Sequence, residues 1–388
     1  MKNLLIFFIL FFILGCTTDE INSNNSLETI FINNSKAKGQ QNIDEIVDTI
    51  TFCALETSPQ SIVSDHPSQI LICKSRIFIV NQGLVSNFSI FDLKDGNFIR
   101  EVSNKGGGPE EFSSITDFSI DPFSDQLSVF ASFENKELYY NFDGNFQAEK
   151  EQFLLYNNKC YLDQNSSIVH CYSNNADLSG LESSFELIRL KKQDIDEGLK
   201  ELEEKHPTNL SSPYIFYSYR DSTRYLKPYC DTIFDVTDGA LKERYQIKFR
   251  RGTVSPEFWA SNNLRGTKDE IHLKHHIPSL FPIIAETQRY MFGSYVSINN
   301  QAYYFAYDKK KKNVVLNFGR LWYSKWDIPL PPPLHVYEEG LLYLISPAEL
   351  KMVLKQHPNP ELLPVAFREI VTSLSGDSNP MLMMIKMK

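Results

Sequence analysis

The side chains best equipped to hold a ligand lie between residues 217 and 225: Tyr217, Tyr219, Arg220, Arg224 and Tyr225, flanked by Tyr214, Asp221 and Tyr229. Tyrosine and arginine present broad flat surfaces with polar tips, which suits sugar rings or peptides. The same alternation is also an ordinary strand face, so packing is the competing reading. Three other groups resemble chemistry at first sight. Lys105-Gly106-Gly107-Gly108-Pro109 has the composition of a phosphate loop, but no Gly-Lys-Ser/Thr follows, and an inter-blade connection using backbone freedom is expected instead. Glu110 and Glu111 follow it. His272, His275 and His276 could share a helix face and bind a metal, yet Lys274 and Pro278 favour an exposed linker. Lys309–Lys312 reads as a solvated hairpin tip. There is no G-x-S-x-G, no H-E-x-x-H and no CxxC. No metal site and no cofactor are expected.

The elements that position these residues are strands. Aromatic residues reach 13%, with Phe 28 and Tyr 19 among 388 residues, and such side chains favour pleated, half-buried surfaces. From Ile43 onward short apolar alternating runs recur with turn signals between them, as in Phe91-Asp92-Leu93-Lys94-Asp95-Gly96-Asn97-Phe98, Phe142-Asp143-Gly144-Asn145-Phe146 and Phe234 to Leu241. Small antiparallel sheets repeating at roughly 50 to 70 residues are what a β-propeller needs, since radial packing covers faces that one sheet leaves bare. The fold class is therefore all-β, a six-bladed β-propeller over residues 42–388, closed by a strand from Met381 to Met387; the count of six comes from dividing the length by about 60 residues per blade, and five or seven blades also fit that length. Two helical insertions are expected. One covers 191–206, where Ile195, Leu199 and Leu202 fall at i, i+4 and i+7, and the other covers 347–374, opened by Ser346-Pro347-Ala348-Glu349. The formal net charge of −9 repels a phosphate backbone, so nucleic acid is not an expected partner.

The first residues carry an address. Lys2 precedes an unbroken apolar run, Leu4 to Leu14, which is too short to span a membrane and reads as a signal peptide over residues 1–15. Ile13-Leu14-Gly15-Cys16 resembles the lipobox of bacterial lipoproteins, and that resemblance implies lipidation of Cys16 as the mature N-terminus. Residues 16–41 are polar and read as a tether. Asp19-Glu20 resembles the surface-export signal of Bacteroidetes-type lipoproteins. The expected location is the outer membrane, periplasmic-facing or at the cell surface, with the lipid as the membrane contact. Of the remaining cysteines, Cys160 and Cys171 would face each other across a hairpin turning at Asn165-Ser166; a disulfide and two buried thiols both fit.

Leu55-Glu56-Thr57, Ile90-Phe91-Asp92, Gly96-Asn97-Phe98-Ile99, Gly106-Gly107-Gly108-Pro109-Glu110-Glu111-Phe112, Tyr229 to Phe234 and Asn379 to Met383 occur in an order that resembles the six-bladed β-propeller lipoproteins of Bacteroidetes. The resemblance spans nearly the whole mature chain and implies a fold and an anchor, with no assured reaction. The expected function is a non-catalytic cell-envelope lipoprotein that binds a ligand or partner, glycan or peptide related. The alternative is a propeller enzyme, a lyase or lactonase-like hydrolase with a divalent metal in the channel. A third reading is a spacer or assembly scaffold.

Overall fold

The computed structural model describes residues 27–64, 66–82, 86–152, 154–171, 185–192, 194–201, 215–220, 222–226, 231–237, 240–250, 279–297, 301–330, 333, 335–337 and 340–388. Residues 1–15, Cys16, His272, His275, His276, Tyr214, Asp221 and Tyr229 lie outside these. Among the described residues no helix is long and apolar enough to cross a membrane.

Three strands open the chain: β1 (Glu28–Ile32), β2 (Gln41–Asn42) and β3 (Val47–Ala54). Blade one follows as β4 (Gln69–Cys73), β5 (Arg76–Asn81), β6 (Asn87–Asp92) and β7 (Phe98–Val102). Blade two is β8 (Asp117–Asp121), β9 (Gln126–Ala131), β10 (Lys136–Asn141) and β11 (Phe146–Glu151). Blade three is β12 (Tyr156–Tyr161), β13 (Ser166–Cys171), β14 (Phe185–Lys191) and β15 (Asp194–Glu201). Blade four is β16 (Phe216–Tyr219), β17 (Ser222–Tyr225), β18 (Thr232–Thr237) and β19 (Ala240–Phe249), with β1 added in parallel on β19. Blade five is β20 (Ser279–Glu286), β21 (Tyr290–Val296), β22 (Ala302–Asp308) and β23 (Asn313–Phe318). A short sixth blade joins β2 to β24 (Leu321–Tyr323) and β25 (Ile328–Leu330). The seventh joins β26 (His335–Tyr337), β27 (Gly340–Ile345) and β28 (Met381–Met387) to β3.

The expected six blades are therefore corrected to seven. The additional one is built from Gln41, the last residue of the expected tether, its neighbour Asn42, and a hairpin of two three-residue strands, pieces too short to leave a repeat in the sequence. The first strands of blades five and seven, β20 and β26, still touch each other, so the short blade packs outside that contact. Its Leu321, Tyr323, Ile328 and Leu330 share a core with Phe367 and Val371.

Each blade is covered on both faces by its neighbours, and the strands record this. Inner strands such as β13 (SSIVHC) and β21 (YMFGSYV) are buried at every position, so they read as continuous runs. The outer strand β11 (FQAEKE) is largely exposed and charged. Two of the expected turns form with glycine where the backbone is left-handed. Gly96 has φ +73, and a Cβ there would meet the Ala54 carbonyl oxygen at 2.0 Å; Gly144 has φ +75. The ring closes as expected: β28 pairs with C-terminal β27 on one side and N-terminal β3 on the other. Asn379, buried just before β28, accepts from Val63 N at 3.0 Å and donates to the carbonyls of Glu56 and Ser61 at 2.6 Å.

The first helical expectation is corrected. Residues 194–201 form β15, paired with β14, and Gly198 lies within it; residues 202–206 are outside the described set. Ile195 packs into the core between blades two and three and Leu199 into the core between blades three and four, so β15, bulged against β14, sends to opposite faces two residues that a helix would keep together. The second expectation holds as α1 (Pro347–Gln356), with the Ser346–Glu349 capping box formed, a 3-10 turn at Pro360–Leu362, and α2 (Val365–Ser373).

The facing arrangement expected for Cys160 and Cys171 does not form. Cys160 pairs with Ile168 and Cys171 with Tyr156, and Cys160 is a free thiol. Asp163 explains the shift. Its Oδ1 accepts from Asn165 N at 2.6 Å and Ser166 N at 2.9 Å, an Asx turn that moves the hairpin centre towards the N-terminus.

Candidate functional site

The hairpin β16–β17 divides the expected cluster between two blade interfaces. Its register pairs Tyr217 with Arg224 and Tyr219 with Ser222, while Phe216 pairs with Tyr225. Side chains alternate across a strand, so Tyr217, Tyr219 and Arg224 share one face and Tyr225 takes the other. Tyr225 is fully buried against blade three, where its hydroxyl donates to Glu186, beside His170. It is a packing residue.

The face carrying Tyr217, Tyr219 and Arg224 meets blade five at Glu286, the last residue of β20. Glu286 Oε2 accepts from Arg224 Nε at 3.2 Å and the Tyr217 hydroxyl at 3.2 Å. Its Oε1 accepts from Lys309 Nζ at 2.8 Å and the Tyr245 hydroxyl at 2.8 Å. Burial alone would raise the Glu286 pKa, but Lys309 and Arg224 outweigh it and hold the carboxylate below its usual range. Burial and the same carboxylate push the Tyr217 and Tyr245 phenols well above theirs. Arg224 also pairs with Asp235 on β18. Around this hub stands the partly exposed Tyr219, with Lys309 Nζ 4.1 Å, Arg220 Cζ 5.3 Å and Arg224 Cζ 5.5 Å from its ring centroid. Arg220 is exposed at the turn tip with φ +52.

The topology makes this one edge of the ring. The β16–β17 turn, the end of β20 and the β22–β23 turn at 309–312 lie on the same face, tied across by Lys309. Of the five residues singled out by sequence, four are thus gathered here and Tyr225 is not. Sequence reasoning missed Glu286, Lys309, Tyr245 and Asp235. Lys309 was expected to be a solvated tip residue; it sits at the tip, but its ammonium turns inward to Glu286. No local signal could have linked residues that belong to different strands and blades.

A second polar cluster crosses blades two and three. Lys159 Nζ donates to Glu137 Oε1 at 2.6 Å with both side chains 0% exposed. Ser128 also donates to Glu137. Burial opposes the charge on Lys159, but Glu137 beside it keeps the ammonium protonated. Burial, with Glu137 nearby, pushes the Asp117 carboxyl up to about 7 against the pull of Lys159. The Gly106–Gly108 segment connects blades one and two, as expected, and Lys136 Nζ donates to Gly108 O at 2.6 Å. Among the described residues no three His, Cys, Asp or Glu side chains converge as a metal site.

The family described as Domain of unknown function (DUF4934) matches residues 27–386. The chain belongs to this family. A similar fold is seen in the crystal structure of a protein of Bacteroides fragilis NCTC 9343 described as exported, with 18% identity, a TM-score of 0.75, and cover of 94% of this chain and 100% of that one. At that identity the likeness concerns the fold alone. A member of the DUF4221 family from Bacteroides vulgatus aligns at 10% identity and a TM-score of 0.47 over 88% of this chain and 97% of that one. No curated protein matches the chain.

Proposed function

We propose that this DUF4934 protein is a non-catalytic binding module of the bacterial cell envelope, held at the outer membrane by lipid on Cys16 and presenting the Tyr219–Arg220 edge of its ring to a glycan. The single observation that carries the binding part is the hub at Glu286. Four donors saturate one buried carboxylate and thereby fix Tyr217, Arg224 and Lys309, leaving Tyr219 and Arg220 as the outward members of a rigid arrangement. A rigid aromatic and a guanidinium at a turn tip lose little entropy on binding. The address is supported by the lipobox-like Ile13-Leu14-Gly15-Cys16 and by the exported description of the Bacteroides fragilis protein.

The test is a glycan array probed with the purified chain and with Tyr219→Ala. Tyr219 is partly exposed, so the variant is expected to unfold at the same temperature as the parent while its array signals fall about tenfold, the worth of one aromatic contact of roughly 1.5 kcal/mol. Signals that survive the substitution unchanged would place the binding surface elsewhere.

A further inference from the structure

We infer that the edge between blades four and five takes an anionic glycan, a sugar chain bearing carboxylates of the uronic acid type; this rests on the binding reading above and specifies its ligand. The inference comes from which charges the hub leaves over. Arg224 is spent on Glu286 and Asp235, and Lys309 on Glu286. Arg220 is exposed, and among the described residues no carboxylate pairs with it. Lys310 and Lys312 are exposed in the adjoining turn and likewise have no carboxylate partner among the described residues. Asp308, the nearest acid, is already committed: its Oδ1 accepts from Lys310 N and Lys311 N at 3.0 Å, and its Oδ2 lies 3.4 Å from Arg289.

Among the described residues, Arg220, Arg224 and Lys309–Lys312 set six positive charges against three negative ones, Glu286, Asp235 and Asp308, and Asp221, which follows Arg220 in the sequence, still leaves an excess of two positive charges (6 − 4). The whole chain carries −9, so this edge has the opposite sign to the molecule it belongs to. A local excess of positive charge on an acidic protein favours an anion at this edge. A planar carboxylate matches the exposed fork of Arg220 in two parallel hydrogen bonds, and the partly exposed Tyr219 ring offers the C–H face of a pyranose a flat surface. The turn amides that could have received a polypeptide strand are already given to Asp308, so the edge presents charged tips and a ring rather than backbone partners. That favours a carbohydrate over an acidic peptide.

Titration calorimetry of the full purified chain with oligogalacturonate, its methyl ester and poly-glutamate tests this. The expected result is binding of oligogalacturonate that weakens as salt rises, at least about tenfold weaker binding of the uncharged ester, and about tenfold loss in Arg220→Ala with part recovered in Arg220→Lys. Equal binding of acid and ester would overturn the anionic chemistry while leaving the binding edge standing, provided Tyr219→Ala still weakens it about tenfold. Binding untouched by both Arg220→Ala and a Lys310→Ser/Lys312→Ser pair would overturn the site. Arg220-dependent binding of poly-glutamate with none of the sugar acid would overturn the glycan. No binding of any probe would overturn the inference, with the array then deciding the broader reading on its own.

Discussion

Glu286→Ala is expected to lower the stability of the ring by about 3 to 5 kcal/mol, because it strands two buried cations and two phenols at once. Arg224 is 4% exposed overall, and Glu286 is 2% exposed, with three of its donors supplied by other strands and the fourth, Lys309, by the β22–β23 turn. Among the described residues only Asp235 remains as an acid partner for Arg224 after the change, and none remains for Lys309. Denaturant unfolding of the parent and variant measures the difference. Glu286→Gln, which keeps the shape and an acceptor oxygen, is expected to fall between them. A loss under about 1 kcal/mol for the alanine variant would mean that the hub is solvated and does not order Tyr219.

Asp117→Asn is expected to act in a pH-dependent way. In the folded ring the Asp117 carboxyl titrates at about 7, above its ordinary 3.8, because burial and Glu137 disfavour its charge. The folded state therefore holds a proton that the unfolded chain releases, and folding loses stability as pH rises from about 4 to 7. By linkage the full loss is about 4 kcal/mol. The depressed carboxylates Glu137 and Glu286 work in the opposite direction, contributing stability above their ordinary pKa that is lost in acid. The difference between parent and Asp117→Asn isolates the one group. The variant is expected to match the parent near pH 4 and to exceed it increasingly towards pH 8. Parallel stability profiles across that range would show that Asp117 is ionised in the fold.

What the residues announced in advance was whatever depends on near neighbours in the chain. The Asp-Gly and Gly-Asn turns at Gly96 and Gly144, the capping box at Ser346 and the final strand that meets the N-terminal one are local patterns or direct consequences of closing a ring. Short-range spacing misled at two places. Ile195 and Leu199 satisfy a helical period, but pairing with β14 through a bulged register makes the segment a strand that sends them to opposite blade interfaces. The Cys160 hairpin slipped because the Asp163 carboxylate captured two amides and recentred the turn, which changes every partner across the sheet.

The site was half visible for the same reason. Tyr217, Tyr219, Arg220 and Arg224 lie within one hairpin, and their density can be seen directly. That Tyr225 turns away follows from the hairpin register alone, which a two-residue turn would have supplied. Glu286 and Lys309 are 23 residues apart, and Glu286 is 62 from Arg224; they meet only because blades four and five are neighbours. The basic run at 309–312 looked like a solvated tip since nothing near it in sequence is a buried acid, and the acid that claims Lys309 comes from the first strand of the blade.

Amide hydrogen exchange on the purified chain, with and without the best-bound glycan from the array, tests most directly where this protein meets its ligand. Slowed exchange in Phe216–Tyr219, Ser222–Tyr225 and residues 309–312, with no change at Ser297 and Gln301 on the opposite face of blade five, is the predicted result. Protection confined to that opposite face, with residues 216–225 and 309–312 exchanging as before, would contradict it.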